Sequence, residues 1–164
     1  MINDKNENPE IILLLDNIRS VHNVGSIFRT ADTIGVNKII CVGTTPTPND
    51  RFGRKRKDFA KVALGAEDMI AWEYLDQMKV VKRVVDMKKK GYEVVALEQA
   101  ENSRDYKEVK NKGPTIIILG NEVDGVSGEL LEMCDIVAEI PMRGKKESLN
   151  VAISVGIFLF RLLD

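Results

Sequence analysis

The sequence predicts an α/β domain: a mostly parallel sheet with helices on both faces. Short, nearly continuous apolar runs are the first sign, because strands covered on both sides carry apolar residues without alternation. These runs alternate with helical patterns, the order that builds right-handed strand–helix–strand crossovers. Length is the third sign, since 164 residues bury one good core and not two.

The expected strands are "IILLL" (11–15), "KIICV" (38–42), "YEVVAL" (92–97), "TIIIL" (115–119) and "DIVAEI" (135–140). "DMIAWEY" (68–74) adds a sixth, with Trp72 and Tyr74 as packing residues. Helices are expected at roughly 23–34, 58–64, 76–90, 127–133 and 149–163. Residues 1–10, "MINDKNENPE", read as a polar N-terminal tail and not a signal peptide, leaving 11–164 as a single domain. The last helix, "LNVAISVGIFLFRLL", is apolar almost all round, whereas a surface helix has a polar face. It is either a central core helix or one covered by a second copy of the chain. Its terminal position favours a homodimer through this helix.

With 24 basic against 25 acidic residues and 44% hydrophobic residues, the chain reads as soluble, and no apolar stretch is long enough to span a membrane. Cys41 and Cys134 lack metal-ligand spacing. They read as buried thiols in a reducing, cytoplasmic setting, with no metal expected. A net charge of −1 argues against indiscriminate nucleic-acid binding. The distribution is uneven, however. "RFGRKRKDFAK" (51–61) gathers Arg51, Arg54, Lys55, Arg56, Lys57 and Lys61 against Asp58 alone, after the turn-rich "GTTPTPND". The run reads as a solvated loop or as a loop that contacts phosphates.

Three stretches carry polar groups at expected strand ends or helix starts. "LGNEVDGVS" (119–127) has a P-loop's glycines, Gly120 and Gly125, directly after a strand, where open α/β sheets bind ligands. Val126 replaces the phosphate-binding lysine, and Glu122 and Asp124 would repel a polyphosphate at about 1 kcal/mol each near a wet surface. A neutral nucleoside or a cationic ligand suits the loop better. In "DNIRSVHNVGSIFRTADTIGV" (16–36), Asn23 is a helix cap or a site residue, and Arg29 pairs with Asp32 or reaches a site. His22, without an acid or nucleophile as partner, reads as a loop or capping residue. In "IPMRGKKESLNVAIS" (140–154), Ser148 is an N-cap or a site residue. This segment lies beside Gly120 if strands 115–119 and 135–140 pair.

Together, "HNVGSIFRTAD", "ILGNEVDGVS" and "IPMRGKKESLNVAIS" resemble the three ordered motifs of the SpoU (TrmH-like) family, RNA ribose 2′-O-methyltransferases of the SPOUT superfamily. The resemblance spans about residues 11–164. It implies a C-terminal deep trefoil knot, S-adenosylmethionine bound there, and a homodimer with its active sites at the interface. By position, Leu97, Leu119, Gly120, Asn121, Ile140, Met142 and Leu149 would build the cofactor pocket. Arg29, Asn23, Glu122, Ser148 and Asn150 would form the catalytic set, with Arg29 either the base or a phosphate-positioning group, and in either case from its own subunit or its partner. An arginine base is costly, because guanidinium pKa values lie above about 12. Arg51, Arg54, Lys55, Arg56 and Lys57 would meet the RNA, with transfer RNA slightly favoured over ribosomal RNA. The rival readings are a non-catalytic RNA-binding protein of the same fold and a nucleotide-dependent enzyme.

Overall fold

The computed structural model describes residues 9–164, so the expected tail over 1–10 lies outside the described residues except for Pro9 and Glu10. Strand β1 (Ile11–Asp16) leads into helix α1 (Val21–Ile34) and strand β2 (Lys38–Val42). After the long basic loop come α2 (Lys57–Ala63), α3 (Ala66–Met69) and β3 (Ala71–Leu75). A 3-10 turn (Gln77–Lys79) precedes α4 (Val80–Lys89) and β4 (Glu93–Leu97). Strand β5 (Arg104–Asp105), a second 3-10 turn (Tyr106–Glu108), β6 (Thr115–Gly120), α5 (Gly128–Met133), β7 (Ile136–Glu139) and α6 (Val151–Leu162) complete the chain.

All seven strands are parallel, in the order β3-β2-β1-β6-β4-β7-β5. Two expectations change. The segment 68–74 is extended only from Ala71, because Asp68 and Met69 close α3. Strands 115–119 and 135–140 do not pair: β4 lies between them, its Leu97 beside Leu119 on one side and Ala138 on the other. Strand β5 was not expected from the sequence; only two residues long and partly exposed, it leaves no apolar run to read.

Alternate residues of each central strand face opposite layers, which gives two cores. Leu13, Leu15, Cys41, Ile117 and Leu119 pack under α1, α2, α3 and α6, whereas Leu14, Ile40, Val42, Ile116 and Ile118 pack under α4 and α5. Helix α1 starts at Ser20, whose Oγ accepts from the Asn23 N–H at 3.2 Å. It stops at Gly35, whose φ of 83° suits a residue without a Cβ. The α1 face buries Val24, Ile27, Phe28 and Ala31 completely. Each of the larger three contributes about 1.5–3 kcal/mol in burial. The Phe28 ring meets Phe59 of α2 edge-on at 5.1 Å. Gly25 permits this closeness, since a Cβ there would lie 2.9 Å from that of Val62.

The buried-thiol expectation holds fully for Cys41, whose burial pushes its pKa up to about 12. Cys134 is only partly buried; that burial, with Asp135 adding to it, raises its thiol to about 11. Among the described residues no helix is long and apolar enough to cross a membrane.

Candidate active site

The adjacent parallel strands β1, β6 and β4 end together: Asp16 lies opposite Gly120, and Leu119 opposite Leu97. This carboxyl edge is where an open α/β sheet presents its loops to a ligand. The segment after β6 is tightly built. The Asn121 Oδ1 accepts from the N–H groups of Val123 (2.9 Å) and Asp124 (2.7 Å), and its backbone carbonyl accepts from Gly125 at 3.0 Å. Gly125 turns the chain with a φ of 68°.

Two carboxylates outside the three motifs then receive consecutive amides. Val126 N–H donates to Glu98 Oε2 at 2.9 Å, and Ser127 N–H to Asp16 Oδ2 at 2.9 Å. Asp16 is 1% exposed, so this bond and those from its surroundings are what make its burial tolerable. The folded-back loop sits so close to the end of β6 that a Cβ on Gly120 would lie 2.1 Å from the Gly125 carbonyl carbon and the Val126 nitrogen. Any side chain there would displace backbone.

Every residue expected to bind the cofactor (Leu97, Leu119, Gly120, Asn121, Ile140, Met142 and Leu149) lines one pocket at this edge, together with Glu122 and Ser148. The C-terminal segment therefore reaches Gly120 without strand pairing. The chain leaves β7 on the far side of β4 and passes back over the ends of β4 and β6 to start α6. Gln99 Nε2 holds it there by donating to the Glu147 carbonyl at 2.9 Å. The pocket also takes Glu98, Gln99, Glu139, Val151 and Ser154, which sequence reasoning missed. Asp16 and Glu98 did leave a signal, each being an acid placed at the end of an apolar strand.

The catalytic candidates divide into two groups. Asn23, Glu122 and Asn150 meet in one chain of hydrogen bonds joining the three motifs. Asn150 caps α6, its Oδ1 accepting from Ala152 N–H at 2.9 Å and Ile153 N–H at 3.4 Å. That orientation leaves its Nδ2 to donate to Asn23 Oδ1 at 2.9 Å, and Asn23 Nδ2 donates in turn to the Glu122 carboxylate. The cap of α1 is Ser20 and that of α6 is Asn150, so neither Asn23 nor Ser148 serves as an N-cap. Ser148 is exposed on the pocket wall.

Arg29 is exposed on α1 and lines a separate groove with His22, Ser26, Thr33, Lys61 and Phe160. It makes no ion pair with Asp32 among the described residues. His22 is exposed within α1 itself, in its first turn, and so is neither a loop residue nor the cap.

The basic run is partly neutralised by neighbours. Arg54 pairs with Asp50 at 2.8 Å, Lys55 with Asp68 at 2.7 Å and Arg56 with Asp58 at 2.8 Å, whereas Arg51 and Lys57 have no such partner among the described residues. The same contacts hold the Asp58 carboxyl below its usual range, chiefly through its hydrogen bond with Arg56. No cluster of His, Cys, Asp or Glu suited to a metal ion occurs among the described residues.

The family model described as "SpoU rRNA Methylase family" matches residues 10–160. A tRNA (guanosine(18)-2′-O)-methyltransferase of Aquifex aeolicus is 31% identical over 151 residues, covering 92% of this chain and 67% of that protein. The 23S rRNA (guanosine-2′-O-)-methyltransferase RlmB of Pseudomonas aeruginosa is 30% identical over 160 residues, covering 98% of this chain and 61% of that one. The crystal structure of an AdoMet-bound rRNA methyltransferase from Sinorhizobium meliloti superposes with a TM-score of 0.81 at 30% identity, over 93% of this chain and 55% of that one. The chain thus spans about two thirds or less of the length of these relatives.

Proposed function

The chain belongs to the SpoU rRNA methylase family, and from that footing we propose that it transfers the methyl group of S-adenosylmethionine to a ribose 2′-hydroxyl in RNA, with transfer RNA slightly favoured over ribosomal RNA. The observation that carries the reading is the hydrogen-bonded chain Asn150–Asn23–Glu122 at the rim of a pocket lined by both apolar and acidic side chains. Leu97, Leu119, Ile140, Met142 and Leu149 offer apolar walls suited to adenine and a thioether. Glu98, Glu122 and Glu139 supply the negative surroundings that a sulfonium favours and a polyphosphate does not. The residues present therefore fit the cofactor.

When bound, S-adenosylmethionine supplies an electrophilic methyl carbon. The protein must aim the ribose oxygen at that carbon and manage its proton. Asn150 cannot rotate without uncapping α6, so the Asn23 amide is fixed and one oxygen of Glu122 is occupied. The other Glu122 oxygen is left for the substrate hydroxyl, with Ser148 on the same wall. Arg29 acts as a bidentate clamp on the nucleotide's phosphate, which its planar fork suits better than proton abstraction.

The reading includes a homodimer. Arg29 lines a groove that shares Phe160 with the exposed side of α6, and that side runs back to Asn150 and Asn23 at the rim. A second copy covering this face brings its Arg29 towards the pocket of the first. The reading also includes a trefoil knot, supported by the path of residues 140–150 over the ends of β4 and β6. The reading also sets the protein in the cytoplasm, the reducing setting that its free thiols Cys41 and Cys134 suit.

Calorimetry with S-adenosylmethionine, combined with mass spectrometry of 2′-O-methylated nucleosides in treated RNA, tests the assignment. Arg29→Ala should keep cofactor affinity within about twofold while product falls by at least about a hundredfold, the scale of losing a positioned transition-state contact. Equal loss of both would overturn the role given to Arg29, and an inactive wild type that ignores the cofactor would overturn the function.

A further inference from the structure

On the same edge of the sheet, on the other side of β1 from the pocket, an aromatic and cationic cluster is held open to solvent. The loop after β2 is tied to the end of β1, since the Thr45 hydroxyl donates to the Leu15 carbonyl at 2.9 Å and accepts from Ile18 N–H at 3.1 Å. Its tip is a rigid turn. Asp50 Oδ1 accepts from the N–H groups of Phe52 (2.8 Å) and Arg54 (3.0 Å), and Asp50 N–H donates to the Arg54 carbonyl at 2.8 Å. Gly53 completes the turn with a φ of 77°. This scaffold presents Phe52, which is 67% exposed, with the guanidinium carbons of Arg51 and Arg54 at 4.7 and 5.1 Å from its ring centroid. Trp72 and Tyr74 of the edge strand β3 point to one face two residues apart and border the same cavity, Tyr74 being 54% exposed.

A large aromatic side chain in water forgoes the stability its burial would bring, so a rigid turn built to display one calls for a flat, apolar occupant. The Arg51 guanidinium, which has no ion-pair partner among the described residues, calls for negative charge beside it. A nucleotide has both, a base with a π-face and a phosphate. A base inside a duplex is already stacked, and only an unpaired one can lie on a protein ring. We infer that Phe52, Trp72 and Tyr74 form a stacking platform for an unpaired base of the RNA substrate, with Arg51 holding its backbone. The inference rests on the reading of this loop as an RNA contact and narrows it to single-stranded or looped RNA. Trp72 and Tyr74 thereby gain a role beyond packing.

Trp72 is the only tryptophan in the chain, so its fluorescence reports on this cavity directly. The test titrates the full chain with a short unstructured oligoribonucleotide and with a blunt RNA duplex of equal charge. The single strand should bind more tightly and quench Trp72. Phe52→Ala should weaken that binding by about tenfold without altering its salt dependence, the loss expected of one base–aromatic stack. Arg51→Ala should reduce the salt dependence instead. Equal single-strand and duplex binding, untouched by Phe52→Ala, would overturn the platform while leaving the loop as a phosphate contact. Failure to bind either RNA would overturn both readings. Self-association that Phe52→Ala abolishes, seen by sedimentation, would assign the cluster to a protein contact.

Discussion

Gly120 shows how much one missing side chain decides. The turn that folds Gly125 and Val126 against β6 occupies the space of its Cβ, and Glu98 and Asp16 hold that turn by its amides. Gly120→Ala should therefore cost about 1–3 kcal/mol through overpacking and weaken S-adenosylmethionine binding by more than tenfold in calorimetry. Gly128→Ala is the control, since nothing lies near its Cβ position; equal behaviour of the two variants would contradict the fit. Asp50 supports a prediction about pH. The Arg54 N–H, and after it the Arg54 side chain and Phe52 N–H, hold its carboxyl below the usual range against some desolvation. A depressed carboxylate contributes stability above its unfolded pKa of about 3.9 and loses it as pH falls through the lower folded value. The 50–54 turn should thus keep its amide protection at neutral pH and through about pH 4, and open only in stronger acid, as hydrogen exchange at Phe52 would record. Opening already at pH 5–6 would contradict this.

Helix α6 has two apolar sides with different fates. Val155, Phe158, Leu159 and Leu162 are buried within the chain, while Ile153 (56% exposed), Ile157 and Phe160 (58%) form an open stripe at helical spacing. Asn150 caps the helix, Ser154 lies one turn in with its hydroxyl donating to the Asn150 carbonyl at 3.1 Å, and Arg161 in the last turn donates to the Lys107 carbonyl at 3.3 Å. Such a stripe suits a homodimer, and Ile157→Asp should place a desolvated charge in it. Light scattering should then report a monomer in place of a dimer, and methyl transfer should be lost with it. A wild-type chain that is itself monomeric, or a variant of unchanged mass, would remove the interface from α6.

At the scale of the whole molecule, the separation between Arg29 and the Asn150–Asn23–Glu122 chain has a functional consequence. If each site borrows Arg29 from the other subunit, two inactive variants should rescue one another. Arg29→Ala co-expressed with Asn150→Ala should regain methyl transfer, because a mixed dimer contains one site with both residues intact. No activity in the mixture, with mixed dimers shown by mass spectrometry, would place Arg29 in its own subunit's site.

By itself the sequence determined the α/β class, the central strands and the apolar character of α6, because apolar periodicity is a local signal, while the resemblance of its three motifs to a known family named nine of the residues that meet in the pocket. Strand order was not local. The insertion of β4 between β6 and β7, the return of residues 140–150 across the strand ends, and the closing of Asn23, Glu122 and Asn150 into one hydrogen-bonded chain depend on contacts between residues up to 127 positions apart. The same holds for Asp16 and Glu98, which look like ordinary strand-end acids until the loop folds back onto them. Ser20 and Asn150 took the capping roles that Asn23 and Ser148 seemed equally able to fill, since a cap is decided by which side chain reaches the free amides once the helix is packed.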